Sequence, residues 1–181
     1  EGKLSIECSY QNDQLHGFYR VYDLNEKITS LLYYDENRLE GLGWHVNDKG
    51  FTTIHSYKNG KKNGFTWSYF PGGKPSHSAF YLDDKLHGDF YEFYSSGELQ
   101  KLEHYTNNQK NGQQYLYYQD GNLKRVSNFK NGLLSGSYKS FHPNECLHLW
   151  IHFRENKFHG IFEERSAEGV VLQKGKYFHN L

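Results

Sequence analysis

The sequence predicts an all-β fold, an elongated single-sheet solenoid of about seven and a half β-hairpin repeats of 23–24 residues. Three observations predict it. A glycine recurs at a fixed step: Gly17, Gly41, Gly64, Gly88, Gly112, Gly136 and Gly160. Seven residues before each stands an aromatic, Tyr10, Tyr34, Tyr57, Tyr81, Tyr105, Phe129 and Phe153, and Tyr177 carries the series into a truncated eighth repeat. Four residues before each glycine only Asp, Asn or Gly occurs: Asp13, Asn37, Gly60, Asp84, Asn108, Gly132 and Asn156.

Each element of the repeat has its own reason. Its first strand opens thirteen residues before the glycine, at Leu4, Ile28, Phe51, Pro75, Leu99, Leu123, Leu147 and Val171. Pairs such as Asn59-Gly60, Asn131-Gly132 and Asp83-Asp84 then tolerate positive φ, so they mark tight hairpin turns. The second strand ends five residues past the glycine, at Tyr22, Val46, Tyr69, Phe93, Tyr117 and Phe141, with Arg165 breaking the column. A looser turn follows, punctuated by Gly2, Gly50, Gly73, Gly97, Gly121 and Gly169, while Glu26 and Glu145 stand where this glycine is otherwise found. No segment has helical periodicity, so helix content is expected near zero. One domain over residues 1–181 is expected, with repeats at about 2–25, 26–48, 49–72, 73–96, 97–120, 121–144, 145–168 and a partial 169–181. A lone hairpin cannot bury its aromatic face, so neighbours must stack into ladders. Each two-stranded repeat advances ~9.6 Å, or roughly 65–70 Å for seven.

Composition narrows the function. Of 181 residues, 21 are Lys or Arg and 21 Asp or Glu, so the net charge is zero, with 11 His besides. That removes a general electrostatic pull toward nucleic acid. Only 36% of residues are hydrophobic and half of these are aromatic, which disordered chains are not. No apolar run approaches ~18 residues. Cys8 and Cys146 sit near opposite ends, ~50 Å apart by strand spacing, and form neither a disulfide framework nor a zinc set. The chain begins at Glu1 and contains no Met, and it is read as a mature or trimmed form.

The run Tyr81-Leu82-Asp83-Asp84-Lys85-Leu86-His87-Gly88-Asp89-Phe90-Tyr91-Glu92-Phe93-Tyr94-Ser95-Ser96-Gly97-Glu98-Leu99 resembles the MORN-repeat variant. So do Tyr57-Lys58-Asn59-Gly60-Lys61-Lys62-Asn63-Gly64 and Phe129-Lys130-Asn131-Gly132-Leu133-Leu134-Ser135-Gly136. The resemblance covers residues 2–181 and is weakest in the second repeat, which has Glu26 and an extra Gly43 within its second strand. It implies a scaffold or binding module. Bacterial members of this variant are often antitoxin-like or immunity proteins, and others are exported or surface-associated. A repeat fold fixes shape better than function.

Chemistry-bearing residues do not converge in the sequence. His16, His87 and His159 precede the repeat glycine three repeats apart, ~29 Å per step, and cannot share a metal. His148 and His152 share strand parity but lie ~13 Å apart. Asp89 and Glu92, three apart, belong to opposite faces of a strand, and flat ladders make poor pockets for a carboxylate pair. No nucleophile elbow or phosphate-cradling loop is present. No enzyme activity, metal or cofactor is therefore expected.

Binding residues are sought where the fold does not demand them. Three residues past the glycine the column reads Arg20, Trp44, Trp67, Tyr91, Tyr115, Lys139 and Glu163. Four aromatics in the middle, flanked by charge, have the composition of a protein interface. Trp44, Trp67, Tyr91 and Tyr115 are the expected anchors, with Asp84, Asp89 and Glu92 meeting a basic partner surface. The expected function is a non-enzymatic protein-binding repeat module, an immunity or antitoxin-like bacterial protein, cytoplasmic, that neutralises a cognate toxin by occluding its active site. An exported or surface-associated scaffold and a membrane-lipid-associated module are the alternatives, the last wanting clustered basic residues.

Overall fold

The computed structural model describes residues 5–177. Gly2 and Leu4, which open two of the repeat columns, lie outside the described residues. The described residues form seventeen strands and no helix, so none is long and apolar enough to cross a membrane. Two compact bodies divide the chain, Glu1–Leu86 and His87–Leu181.

The first body holds β1 (Ile6–Gln11), β2 (Gln14–Tyr22), β3 (Ile28–Asp35), β4 (Arg38–Leu39), β5 (Gly41–Val46), β6 (Thr52–Lys58), β7 (Lys61–Tyr69) and β8 (Pro75–Leu82). Each pairs antiparallel with the next, β4 and β5 being two segments of one strand interrupted at Glu40. The division falls within β9 (Lys85–Phe93). The second body continues with β10 (Leu99–Thr106), β11 (Gln109–Lys110), β12 (Gly112–Tyr117), β13 (Leu123–Lys130), β14 (Leu133–Phe141), β15 (Leu147–Arg154), β16 (Lys157–Arg165) and β17 (Val171–Tyr177). Here too the strands meander antiparallel in chain order.

The tight turns are what the residue types demand. Both central residues have positive φ in every one, from Asn12 and Asp13 (50° and 60°) to Glu155 and Asn156 (50° and 65°). Five of the turns also clamp onto the preceding hairpin. The amide of Asn37 donates to Leu15 O, that of Asp84 to Lys62 O and that of Asn156 to Leu134 O, at 2.9–3.0 Å. At three of them the side-chain Oδ1 also accepts the facing amide: Leu15 N to Asn37, Lys62 N to Asp84 and Leu134 N to Asn156, at 2.7–2.8 Å. Gly60 and Gly132 keep only the backbone half of the clamp. At the opposite end, side chains one residue past the second strand reach the next repeat. Tyr94 Oη donates to Tyr117 O and Tyr118 Oη to Phe141 O, both at 2.8 Å, and His142 Nε2 donates to Arg165 O at 3.0 Å.

One face of each body is the packed one. Its centre is the position nine before the repeat glycine, where His55, Ala79, Glu103, Ser127 and Ile151 are all buried. Facing positions on the second strands bury Thr66 and Gln114. Aromatics pack beside these, not as a ladder of equivalent residues but between the second strand of one hairpin and the first strand of the next: Tyr19 against Tyr34, Phe90 against Tyr105 and Tyr138 against Phe153, at 5.8–6.3 Å between ring centroids. The extra Gly43 fits this packing. A Cβ there would sit 2.6 Å from Leu32 Cδ2 and 3.2 Å from Tyr57 Cε2, because those side chains fill the space its own would need.

Candidate functional site

The opposite face carries the expected anchors, and the register shows how. In the first body, Arg20 pairs with Leu31, Leu31 with Trp44, Trp44 with Ile54 and Ile54 with Trp67. The row therefore runs apolar across four successive strands. Trp67 is 38% exposed and stacks on Tyr69 with 6.5 Å between centroids, while Trp44 is half-buried. Glu7 closes the row at one end, held to Arg20 by an ion pair at 3.1 Å.

A second row, two residues along the same strands, did not enter the sequence reading. One residue past the repeat glycine the column reads Phe18, Leu42, Phe65, Asp89, Gln113, Ser137 and Ile161. Phe18 is 47% exposed, Leu42 68% and Phe65 60%. Phe18 meets Tyr33 edge-on at 5.4 Å and Phe65 meets Phe80 at 5.1 Å. The signal was legible: the column is apolar through the first three repeats and polar through the next three.

In the second body the same positions are chemically different. Tyr91, Leu102, Tyr115 and Val126 make an aromatic-aliphatic row, each paired with the next. Tyr115 stacks on Tyr117 at 6.5 Å and donates its hydroxyl to Gln113. The adjacent row is polar, Asp89 opposite His104 and Gln113 opposite Asn128. Asp89 Oδ1 lies 2.9 Å from His104 Nδ1, and its Oδ2 accepts the Tyr91 hydroxyl at 3.3 Å. Burial, then the Asp89 carboxylate, pushes the Tyr91 phenol above its ordinary range.

The three expected acids therefore differ in position. Asp84 belongs to the first body and its Oδ1 is engaged in the turn clamp. Asp89 lies beside Tyr91. Glu92 lies on the packed face, ion-paired to Lys101 Nζ at 2.5 Å, where it borders a buried network. In that network Glu103, 3% exposed, takes Lys110 Nζ at 2.6 Å, the Tyr105 hydroxyl at 2.8 Å and the Gln114 amide. Gln114 Oε1 in turn accepts from Arg125 and from Ser127, both at 3.0 Å. Burial raises the Glu103 carboxyl, but the hydrogen bonds from Lys110 and Tyr105 and the two ammonium charges outweigh it, leaving it below the ordinary range.

Histidines are placed structurally. His55 is buried, with Nδ1 2.9 Å from Thr66 Oγ1 and its ring stacked on His45 at 5.8 Å. Burial first, then the charges of Lys62, His45 and His77, lowers it to about 4. His142 is one of the repeat-to-repeat clamps, its ring 4.5 Å from that of His148. Among the described residues no three His, Cys, Asp or Glu side chains gather as a metal site, and Cys8 and Cys146 are free thiols.

Residues 86–107 and 110–131 match the family model described as the MORN repeat variant. Each matched segment contains the second strand of one hairpin, the looser turn after it and the first strand of the next, and together they hold Tyr91, Leu102 and Tyr115. No curated protein matches the chain.

Proposed function

We propose that this chain, which carries repeats of the MORN variant, is a non-enzymatic protein-binding module, and within that class an immunity or antitoxin-like protein that occludes a bacterial toxin. MORN repeats generally mediate protein or membrane-lipid interactions. The observation that supports the protein reading is the anchor row. Trp44 and Trp67, set in register with Leu31 and Ile54, present rigid aromatic surface that the packed face does not use. Large aromatics with few rotatable bonds lose little entropy on docking and dominate interface energetics. Tyr91 and Tyr115 offer the same chemistry in the second body, with Asp89 beside them for a basic partner.

The test is affinity capture from the source cell with this chain as bait, read by mass spectrometry. It is repeated with Trp67→Ser and with Tyr91→Ser. A single stoichiometric protein, lost at least tenfold in either variant, supports the reading, and inhibition of that protein's toxicity by the chain supports the immunity role. Recovery of lipid or envelope material without a protein partner moves the assignment to the membrane or surface alternatives. A partner retained equally by both variants removes these anchors.

A further inference from the structure

The exposed stripe of the first body has the dimensions and chemistry of a seat for a helix. We propose that it binds one amphipathic α-helix of a protein partner, about sixteen residues long and acidic along one flank. This rests on the protein-binding reading above and names the partner's form.

The stripe consists of the two adjacent rows that contain Trp44 and Trp67, and Phe18, Leu42 and Phe65. Soluble surfaces scatter single apolar residues, whereas here four large ones between 38% and 68% exposed, Phe18, Leu42, Phe65 and Trp67, lie on every second strand, with Tyr33, Ser56 and Phe80 paired beside them on the strands between and beyond. The rows are two residues apart along the strands, ~7 Å, and span β2 to β8, five strand spacings or ~24 Å. A helix is ~10 Å across and rises ~1.5 Å per residue, so sixteen residues cover that length and one helix covers that width. On the far side the next row is mixed, with Thr29, Thr52 and Ser76 alternating with Val46 and Tyr69.

Charge sets the flank. At the turn end of the hairpin that carries Phe65 and Trp67, Lys58 and Lys61 stand directly opposite one another. Both are exposed, and neither makes an ion pair with another described residue. Like charges directly opposite on a hairpin are unfavourable until an anion joins them. Acids on one flank of the docked helix supply it.

The experiment is selection on the full-length chain from a displayed library of 18-residue helices. The apolar stripe of the library varies among Leu, Ile, Phe and Met, and its flanks vary among Glu, Lys and Ser. The expected result is clones with Glu on one flank that bind the wild type at least tenfold more tightly than they bind Leu42→Ser or Phe65→Ser. Both substitutions are at exposed positions, so circular dichroism should be unchanged. Lys58→Glu with Lys61→Glu should reverse the flank preference, and Gln113→Ala in the second body should leave binding unaltered. The proposal is overturned if no clone is enriched over scrambled helices, or if enriched clones ignore Leu42 and Phe65. It is also overturned if phosphatidylcholine–phosphatidylglycerol vesicles occupy the stripe instead, or if light scattering shows a dimer that Phe65→Ser dissolves. A captured natural partner that survives both serine variants defeats the helix seat and leaves the protein-binding reading standing; capture of no protein defeats that reading itself.

Discussion

Replacing Glu26 and Glu145 by glycine should stabilise the protein. Both residues occupy the looser turn at the position that is glycine in the other repeats, and both hold positive φ, 63° and 65°. Their turns are otherwise the same. The amide of Glu26 donates to Asp23 O at 3.0 Å and that of Glu145 to His142 O at 2.9 Å, as Gly73 does to Phe70 O and Gly121 to Tyr118 O. A left-handed conformation costs an L-residue about 1–2 kcal/mol. Glycine escapes that cost but loses about 0.5–1 kcal/mol more backbone entropy on folding. The balance favours glycine by about 0.5–1 kcal/mol per site. The two sites lie in different bodies, so the gains should add to about 1–2 kcal/mol, or about 3–6 °C in Tm for a chain of this size. Urea titration read by circular dichroism and by tryptophan fluorescence measures it. Glu26→Gln and Glu145→Gln control for charge and should change nothing. Gly73→Ala and Gly121→Ala are the reverse test. An added Cβ would meet nothing within 4 Å at either position, so any loss there reports φ alone. If the glycine variants are neutral or less stable while Gly73→Ala is harmless, the strain argument is wrong.

Two further outcomes follow from the packed face. His55 titrates near 6.5 when unfolded and about 4 when folded, so between those values the unfolded chain binds more protons. Stability should fall as pH drops from about 6.5 to about 4, by up to roughly 3 kcal/mol, and this slope should vanish in His55→Gln, as urea midpoints across that range will show. Glu103→Gln removes the carboxylate that Lys110 and Lys101 share, and should cost about 3 kcal/mol in the same assay at neutral pH. Because the Glu103 carboxyl is held below its ordinary range, the wild-type advantage should persist at neutral pH and shrink only as pH falls below about 4.5.

Much of the fold was legible because one repeat imposes the same local rules seven times. Asn59-Gly60 or Asp83-Asp84 can do little at that spacing except turn, and the structure gives every such pair the same left-handed geometry. Glu26 and Glu145 show how strong that constraint is: the repeat holds a non-glycine residue at positive φ rather than change the turn. The packed face was less legible. Its central position reads His55, Ala79, Glu103, Ser127 and Ile151, and no hydropathy pattern marks such a column as core. It is buried because neighbouring strands cover it, and each repeat satisfies it differently, Glu103 through ammonium and amide partners and His55 through Thr66. The candidate site was half legible for a related reason. Trp44 and Trp67 stood out as large residues, whereas Phe18, Leu42 and Phe65 read individually as ordinary strand apolars. Only the register shows that the two rows adjoin, and that the packing of the other face leaves them open to solvent. In a repeat whose alternate faces are both aromatic, composition cannot say which aromatics hold the sheet together and which are left for a partner. Exposure separates the two, and in the first body it leaves Phe18, Leu42, Phe65 and Trp67 open on the face that the packing does not use.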